Sequence, residues 1–371
     1  MMLKSGFLDD DMCMVTDFGT NAEMALKVGD KIYTGSAAAG PAMEGQHISS
    51  GMLAAPGAVS DLVRTPSGWR SKVLGDMFEE KDGPLINLRS NITSGGDTVP
   101  KGITGTGVVA LVHACMEDGL FEDGRFSKGT VRISKGVSFT ENDLREAGKA
   151  IGAIRAGHMT LMLEAGVDPE DVRTMYMAGA SGTYVDPFKA KRVGMVIPDC
   201  TRVRQVGNTS LALARDLVCR PELIDELNSL KDRLTARHVM FASSDTFSDL
   251  YLYEFGFWND GMPIRRYERA LERYGMGGYL GRCSDMTVER TCANDIGDLG
   301  ESFDIVGAGT SMGAAWDCSR CGRCVNGCPE KALRLDGDVF TIDTGRCLGT
   351  ACQRCAENCP DGRFDYSAFR T

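Results

Sequence analysis

Apolar and polar positions near the start of the chain alternate with the short period of extended strands. Cys-Met-Val-Thr-Asp-Phe at 13–18 and Ala-Glu-Met-Ala-Leu-Lys-Val at 22–28 read as strands. Gly29-Asp30 then turns the chain into Lys-Ile-Tyr-Thr-Gly-Ser-Ala at 31–37. Residues 85–100 read as short strands and turns, and an apolar helix is predicted from about Val108. After Thr140 the period lengthens. Leu144, Ala147, Ile151, Ile154, His158, Leu161 and Met162 recur at helical spacing, with Thr140 as N-cap, Asp143 in the first turn and Gly166 as the stop. Residues 172–187 predict a short apolar strand, a small-residue turn and a proline, and Leu223, Leu227, Leu230 and Leu234 mark one face of a further helix. Strands alternating with helices give an α/β domain over residues 1–237.

Three stretches break the pattern in a way that favours function. Residues 36–57 are rich in Gly and Ala with two prolines, which makes poor helix and a plausible functional loop, or equally a tight turn between strands. Glycines at 102, 105 and 107 precede the first apolar helix, where backbone amides suit an anion or a closely approaching ligand. Residues 179–182 read Gly-Ala-Ser-Gly. Residues 238–316 are less patterned and are taken as a connecting module. Aromatic residues concentrate at 251–274, for packing or for a docking face, and a helix is predicted from Pro263 to Tyr274. The tail, 317–371, is a third domain.

The 371 residues are enough for two or three domains. A formal charge of −10 argues against non-specific nucleic-acid binding. No apolar run reaches a membrane span, and the N-terminus lacks the apolar core of a secretory leader. The expectation is a soluble, cytoplasmic protein. The four histidines are isolated in sequence, so His158 reads as a packed or surface residue and not a ligand, and the methionines as adaptable core.

Of fourteen cysteines, Cys13, Cys115, Cys200, Cys219, Cys283 and Cys292 are scattered and read as small buried hydrophobes. The other eight cluster. Cys318, Cys321, Cys324 and Cys328 form C-x2-C-x2-C-x3-C before Pro329; Cys347, Cys352, Cys355 and Cys359 form C-x4-C-x2-C-x3-C before Pro360. Zinc sites usually group cysteines in pairs with a longer spacer, whereas three cysteines at x2 intervals suit one cubane face. The spacing resembles the two-cluster bacterial ferredoxin. That resemblance implies one [4Fe–4S] cluster on Cys318, Cys321, Cys324 and Cys359 and another on Cys347, Cys352, Cys355 and Cys328. An alternating strand pair about Asp336-Gly337 separates the two runs.

Asp17-Phe-Gly-Thr-Asn-Ala-Glu23 is a turn that suits a phosphate or a magnesium ion, and equally an ordinary Gly-containing hairpin with an Asx bond. Its company is more specific. Read in order with the glycine-rich loop at 36–57, Gly-Ile-Thr-Gly-Thr-Gly at 102–107, the 179–182 loop and Val-Gly-Asn-Thr-Ser at 206–210, it resembles the ATPase domain of the reductive activators of corrinoid proteins. These belong to the acetate and sugar kinase, Hsp70 and actin superfamily. With the two-cluster tail, nearly the whole chain resembles the methylamine methyltransferase corrinoid protein reductive activases of methanogens and their bacterial relatives.

The resemblance implies a nucleotide site of Asp17, Gly19, Thr20, Asn21 and Glu23, the second phosphate motif. To these it adds Gly102, Gly105 and Gly107, and the adenosine motif Gly179, Ala180, Ser181 and Gly182. It implies ATP with Mg2+, two [4Fe–4S] clusters, a low-potential electron donor and a corrinoid-binding partner protein whose Co(II) is reduced to Co(I); no catalytic residue is assigned. The superfamily's first phosphate motif has no counterpart among the sixteen residues before Asp17, so the chain reads as an ATPase lobe lacking the opposing one, with ATP use expected of a complete protein. Two other readings are a ferredoxin-like carrier fused to an ATPase relic, and a nucleotide-dependent regulatory module with structural clusters.

Overall fold

The structure, a computed structural model, describes residues 1–122, 125–279, 285–291, 311–314, 317–343, 346–347, 354–364 and 369–370. They fall into two compact units, Met1–Asp295 and Ile296–Thr371. Among the described residues, no helix is long and apolar enough to cross a membrane.

The first unit is built on a seven-stranded sheet. Its spatial order is Thr235–His238, Lys31–Ala37, Ala22–Val28, Met12–Phe18, Thr174–Ala178, Arg202–Gly207 and Thr287–Arg290. The three strands from Met12 to Ala37 form an antiparallel meander, and Thr174–Ala178 adds to it in parallel. All five residues of Thr174–Ala178 are buried, as a central strand covered on both faces requires. One face packs into the main core through Met14, Phe18, Met24 and Met177; the other meets Phe7, Cys13, Val15, Ala25, Ile32 and Tyr176.

The helix Glu141–Ala165 lies against the first face. Thr140 and Asp143 close a reciprocal capping box, and Gly166 ends the helix in the left-handed conformation, as the sequence predicts. Two glycines on its outer side admit the helix Asp245–Asn259. A Cβ at Gly148 would come within 2.5 Å of Trp258, and one at Gly152 within 2.8 Å of Glu254. Arg155 forms a bidentate ion pair with Glu254, both buried, with Nε to Oε1 at 2.6 Å, and the Tyr267 hydroxyl donates to the same carboxylate. Aromatic residues 257, 258 and 267 ring the guanidinium. The aromatic stretch is therefore core. With Thr287–Arg290 in the main sheet, the described residues of the expected connecting module from 238 to 291 pack into the first unit.

A second, five-stranded sheet is inserted between Ala37 and the long helix. It comprises Ile92–Ser94, Glu80–Asn87, Gly68–Leu74, Ala58–Thr65 and Gly102–Ile103, and carries the helix Gly105–Glu117. The strands Ala58–Thr65 and Gly68–Leu74 escape a reading by apolar runs because Ser60, Asp61, Arg70 and Lys72 interrupt them on the outer face. The helix begins at Gly105, three residues ahead of expectation. The Thr104 hydroxyl accepts from Gly107 N at 3.1 Å and fixes the start. The turn expected at 179–182 is instead the opening of a short helix, Gly179–Tyr184. The predicted leucine helix forms over Leu223–Arg233 with its leucines only partly buried.

In the second unit, Leu333–Asp336 and Val339–Asp343 form the predicted hairpin, extended by Ser311–Ala314 and Phe369–Arg370. Leu333, Phe340, Ile342 and Cys324 make its core, with Cys318, Cys328, Cys347 and Cys355 packed around it. Cys352, Cys283 and Cys292 lie outside the described residues.

Candidate functional site

The hairpin Met12–Val28 and the small-residue loop at 179 are far apart in sequence and adjacent in space. Asp17, the last but one residue of its strand, pairs with Ala178, the last of its own, so the chain leaves the two strands at nearly the same level. Gly179 follows at φ +86, and a Cβ there would sit 2.2 Å from Asp17 Oδ1 and 3.1 Å from Phe18 N. Only glycine fits that approach. At Gly182 a Cβ would still touch the Phe18 ring at 3.2 Å. Gly19, Thr20 and Asn21 form the turn between Phe18 and Ala22. Gly40 N donates to Thr20 O at 2.8 Å and ties the following loop to it.

Glu23 stands directly across the hairpin from Asp17, with Ser36 beside it on the third strand. The Ser36 hydroxyl reaches Glu23 Oε1 at 3.5 Å. Burial raises the Asp17 carboxyl above the ordinary range, partly offset by the N-terminal ammonium; burial, and then the Asp17 charge, raise Glu23. Among the described residues neither carboxylate is paired with a lysine or arginine side chain. Two carboxylates on paired residues of the hairpin offer the hard oxygen donors that a divalent cation takes.

Beneath the hairpin, Thr16 Oγ1 meets His158 Nε2 at 2.8 Å in the core. Burial drives the His158 pKa down to about 3, so this histidine is neutral and packed, as expected. Gln205 is the positioning residue that sequence reasoning missed. Fully buried, its amide nitrogen donates to the carbonyls of Gly182 and Val185 at 2.9 Å each and approaches that of Thr183 at 3.4 Å. Its oxygen accepts from Arg290 Nε at 2.9 Å. Gln205 falls on the buried side of the strand Arg202–Gly207, in phase with Val203 and Gly207, and a polar residue in that phase was the available signal.

Gly102, Gly105 and Gly107 are buried against the second sheet. A Cβ at Gly102 would meet Met52 at 2.6 Å, and one at Gly107 the Val59 carbonyl at 2.2 Å. Close packing accounts for those two. The loop after Ala37 is also more structured than a mobile loop: Ala39, Ala42 and Ile48 enter the main core. Asp143 accepts from the Ser49 amide and hydroxyl at 2.6 Å each.

In the second unit none of the described cysteines of the two runs is in a disulfide. Backbone amides donate to three of their sulfurs: Arg320 N to Cys318 at 3.4 Å, Ala332 N to Cys328 and Arg363 N to Cys359 at 3.3 Å. Such donors stabilise thiolates and tune iron–sulfur clusters. Among the described residues, no three His, Cys, Asp or Glu side chains converge to hold a single metal ion. The eight cysteines of the two runs supply the number and kind of thiolates that two cubane clusters take.

Comparison with known proteins agrees with both units. The family described as "C-terminal domain of RACo the ASKHA domain" matches residues 11–268, and a 4Fe-4S dicluster domain matches residues 317–363. A Methanosarcina barkeri protein, "[Co(II) methylated amine-specific corrinoid protein] reductase", is 42% identical over 364 residues, covering 95% of this chain and 67% of the relative. "Corrinoid activation enzyme RamQ" from Eubacterium limosum is 26% identical over 284 residues, covering 68% of this chain and 44% of the relative. A solved "Reductive activator for corrinoid,iron-sulfur protein" shares the fold, with a TM-score of 0.53 at 22% identity, over 67% of this chain and 40% of that one. The actin-like ATPase fold, the dicluster tail and an identity that runs through both place this chain in the family of corrinoid-protein reductive activases.

Proposed function

We propose that the chain serves the ATP-dependent reductive activation of a corrinoid protein, in which single electrons pass through two [4Fe–4S] clusters and return Co(II) to Co(I) for methyl transfer. The observation that carries this reading is that one reductase aligns with both units at once, over 95% of the chain. Cys318, Cys321, Cys324 and Cys359 would hold one cluster, and Cys347, Cys352, Cys355 and Cys328 the other. The clusters supply one-electron transfer at low potential. The chain's own part is to hold eight thiolates, shield them with the Leu333–Phe340–Ile342 core and donate amides to their sulfurs.

The nucleotide end of the site would be Asp17, Gly19, Thr20, Asn21 and Glu23 with Gly179, Ala180, Ser181 and Gly182. Asp17 and Glu23 would orient Mg2+, the turn amides would face phosphate, and Gly179 would bring the adenosine loop against the carboxylate. Gly102, Gly105 and Gly107, which the resemblance adds to the nucleotide site, would complete its glycine-rich lining. ATP can drive reduction only through contacts that differ between two states of the protein, and contacts to Mg2+ and phosphate can differ in that way. The superfamily's nucleotide cleft closes with a second phosphate hairpin opposite Asp17, so tight binding and hydrolysis would need a form that carries one. Anaerobic reduction of a Co(II) corrinoid protein with and without ATP, using this chain and an N-terminally extended form, tests the proposal. ATP-stimulated Co(I) formation by the extended form supports it. Reducible clusters with no transfer to any corrinoid protein would leave the simple carrier instead.

A further inference from the structure

The surface around the cysteines carries a charge pattern that neither ATP nor cluster assembly uses. Arg323 directly precedes Cys324 and Arg354 directly precedes Cys355, the same place in each cysteine run. Each arginine opens a helical turn, Arg323–Asn326 and Arg354–Glu357, and both side chains are exposed. The two turns meet closely. A Cβ at Gly327 would lie 2.3 Å from Asn358 Nδ2, and that amide donates to Arg354 O at 2.7 Å. The two guanidinium groups therefore rise from adjoining turns, each one residue from a ligand of a different cluster.

Neither arginine has an ion-pair partner among the described residues, whereas Arg363 pairs with Asp317 at 2.8 Å. Exposed Arg346, next to Cys347, and exposed Lys331, three residues after Cys328, are likewise without ion pairs among the described residues. Of the nearby carboxylates, Asp317 is taken by Arg363 and Asp361 accepts from Ser319 at 2.9 Å, leaving Glu330 and Glu357. Residues 317–371 hold eight basic and eight acidic residues, so the chain's net charge of −10 belongs entirely to residues 1–316. The cluster unit has been kept neutral overall, with its cations gathered beside the ligands.

We propose that Arg323 and Arg354, flanked by Arg346 and Lys331, form the docking face for a carboxylate-rich electron-donor protein. The proposal rests on the cluster reading above. A donor must meet the clusters briefly and repeatedly, which favours a small, electrostatically steered contact. Guanidinium groups stay charged at every working pH and grip carboxylates in two-pronged fashion. At this face the donor's reduced centre loses one electron, one [4Fe–4S]2+ cluster becomes [4Fe–4S]1+, and no proton or bond is exchanged.

The test uses the anaerobic holoprotein and an acidic two-cluster bacterial ferredoxin as donor. Reduction of the wild-type clusters by reduced ferredoxin slows about tenfold or more between low and physiological salt. The double variant Arg323→Glu/Arg354→Glu is reduced about tenfold more slowly at low salt, loses the salt dependence and binds oxidised ferredoxin more weakly in calorimetry. Arg334→Glu, on the hairpin, changes neither. A photoreduced neutral deazaflavin reduces wild type and double variant equally. A double variant with the wild-type salt profile and ferredoxin affinity overturns the docking face. So does one that binds ferredoxin normally but no longer passes electrons to the corrinoid protein, since the collar would then serve the acceptor. Failure of the neutral reductant on the wild type overturns the cluster reading itself.

Discussion

Gln205 is where a single substitution should separate the nucleotide loop from the rest of the fold. Its amide nitrogen holds the carbonyls of Gly182 and Val185 at 2.9 Å, with Thr183 further off, and its oxygen takes Arg290 Nε at 2.9 Å. Leucine has similar size and no polar atoms. Gln205→Leu leaves two buried carbonyls without their donor and Arg290 without its acceptor. Each unmet buried group costs about 1–3 kcal/mol, and relaxation of the short helix Gly179–Tyr184 recovers part of it, so the local cost is about 2–4 kcal/mol. At about 1.4 kcal/mol per tenfold, amide exchange across 179–186 should accelerate roughly 30- to 1,000-fold. Hydrogen exchange read by mass spectrometry measures this, with peptides of the helix Glu141–Ala165 as an internal control. The short helix ends at Tyr184, so faster exchange should stop near Pro187 and leave the cluster unit untouched. Exchange within a factor of three of wild type over 179–186 would refute the role assigned to Gln205.

The buried His158 gives a pH signature. Its pKa is about 3 when folded against 6.5 for a free imidazole, so between those values the unfolded chain binds more protons and stability falls as pH falls, by up to about 1.4 kcal/mol per pH unit. His158→Gln, which can still bond Thr16, should flatten the denaturation midpoint from pH 6.5 downward; an unchanged slope contradicts this. Gly179→Ala places a methyl 2.2 Å from Asp17 Oδ1 in a left-handed backbone, so ATP affinity of an N-terminally complete protein should drop at least about tenfold by calorimetry while iron content stays the same. Reconstituted protein should hold about eight irons, falling to about four in either Cys324→Ser or Cys355→Ser, each with the loss of one electron paramagnetic resonance signal. Zinc in place of iron after anaerobic reconstitution would overturn the redox assignment.

What the sequence disclosed follows from how local each signal was. The meander Met12–Ala37 was readable because its alternation and its Gly29-Asp30 turn lie within one stretch. The helix from Thr140 to Gly166 announced both its ends. The cysteine runs carry ligand spacing directly. By contrast, the meeting of Asp17 with Gly179 arises from parallel pairing of Met12–Phe18 with Thr174–Ala178, a long-range event that no local pattern encodes. Family resemblance, not periodicity, linked those motifs. The aromatic segment 251–274 was ambiguous because aromatic residues serve cores and interfaces alike. Gly148 and Gly152, which admit its helix, look like helix-weakening residues in sequence and become a groove only once the partner is present. Gln205 had no motif to advertise it, since its partners are backbone carbonyls.

The separability of the electron path from the ATP site is tested most directly by Asp17→Ala in an N-terminally complete, anaerobically reconstituted protein. Asp17 touches Gly179 and stands across from Glu23, all within the first unit, whereas the two cysteine runs belong to the second. Two signals are recorded in one cuvette: bleaching of the cluster absorption by a strong reductant, and the rise of the Co(I) spectrum in a corrinoid partner with ATP present. The expected result is full cluster reduction with no ATP-stimulated Co(I). Undiminished Co(I) formation in Asp17→Ala would contradict the assignment, making this hairpin a structural turn and placing the coupling elsewhere.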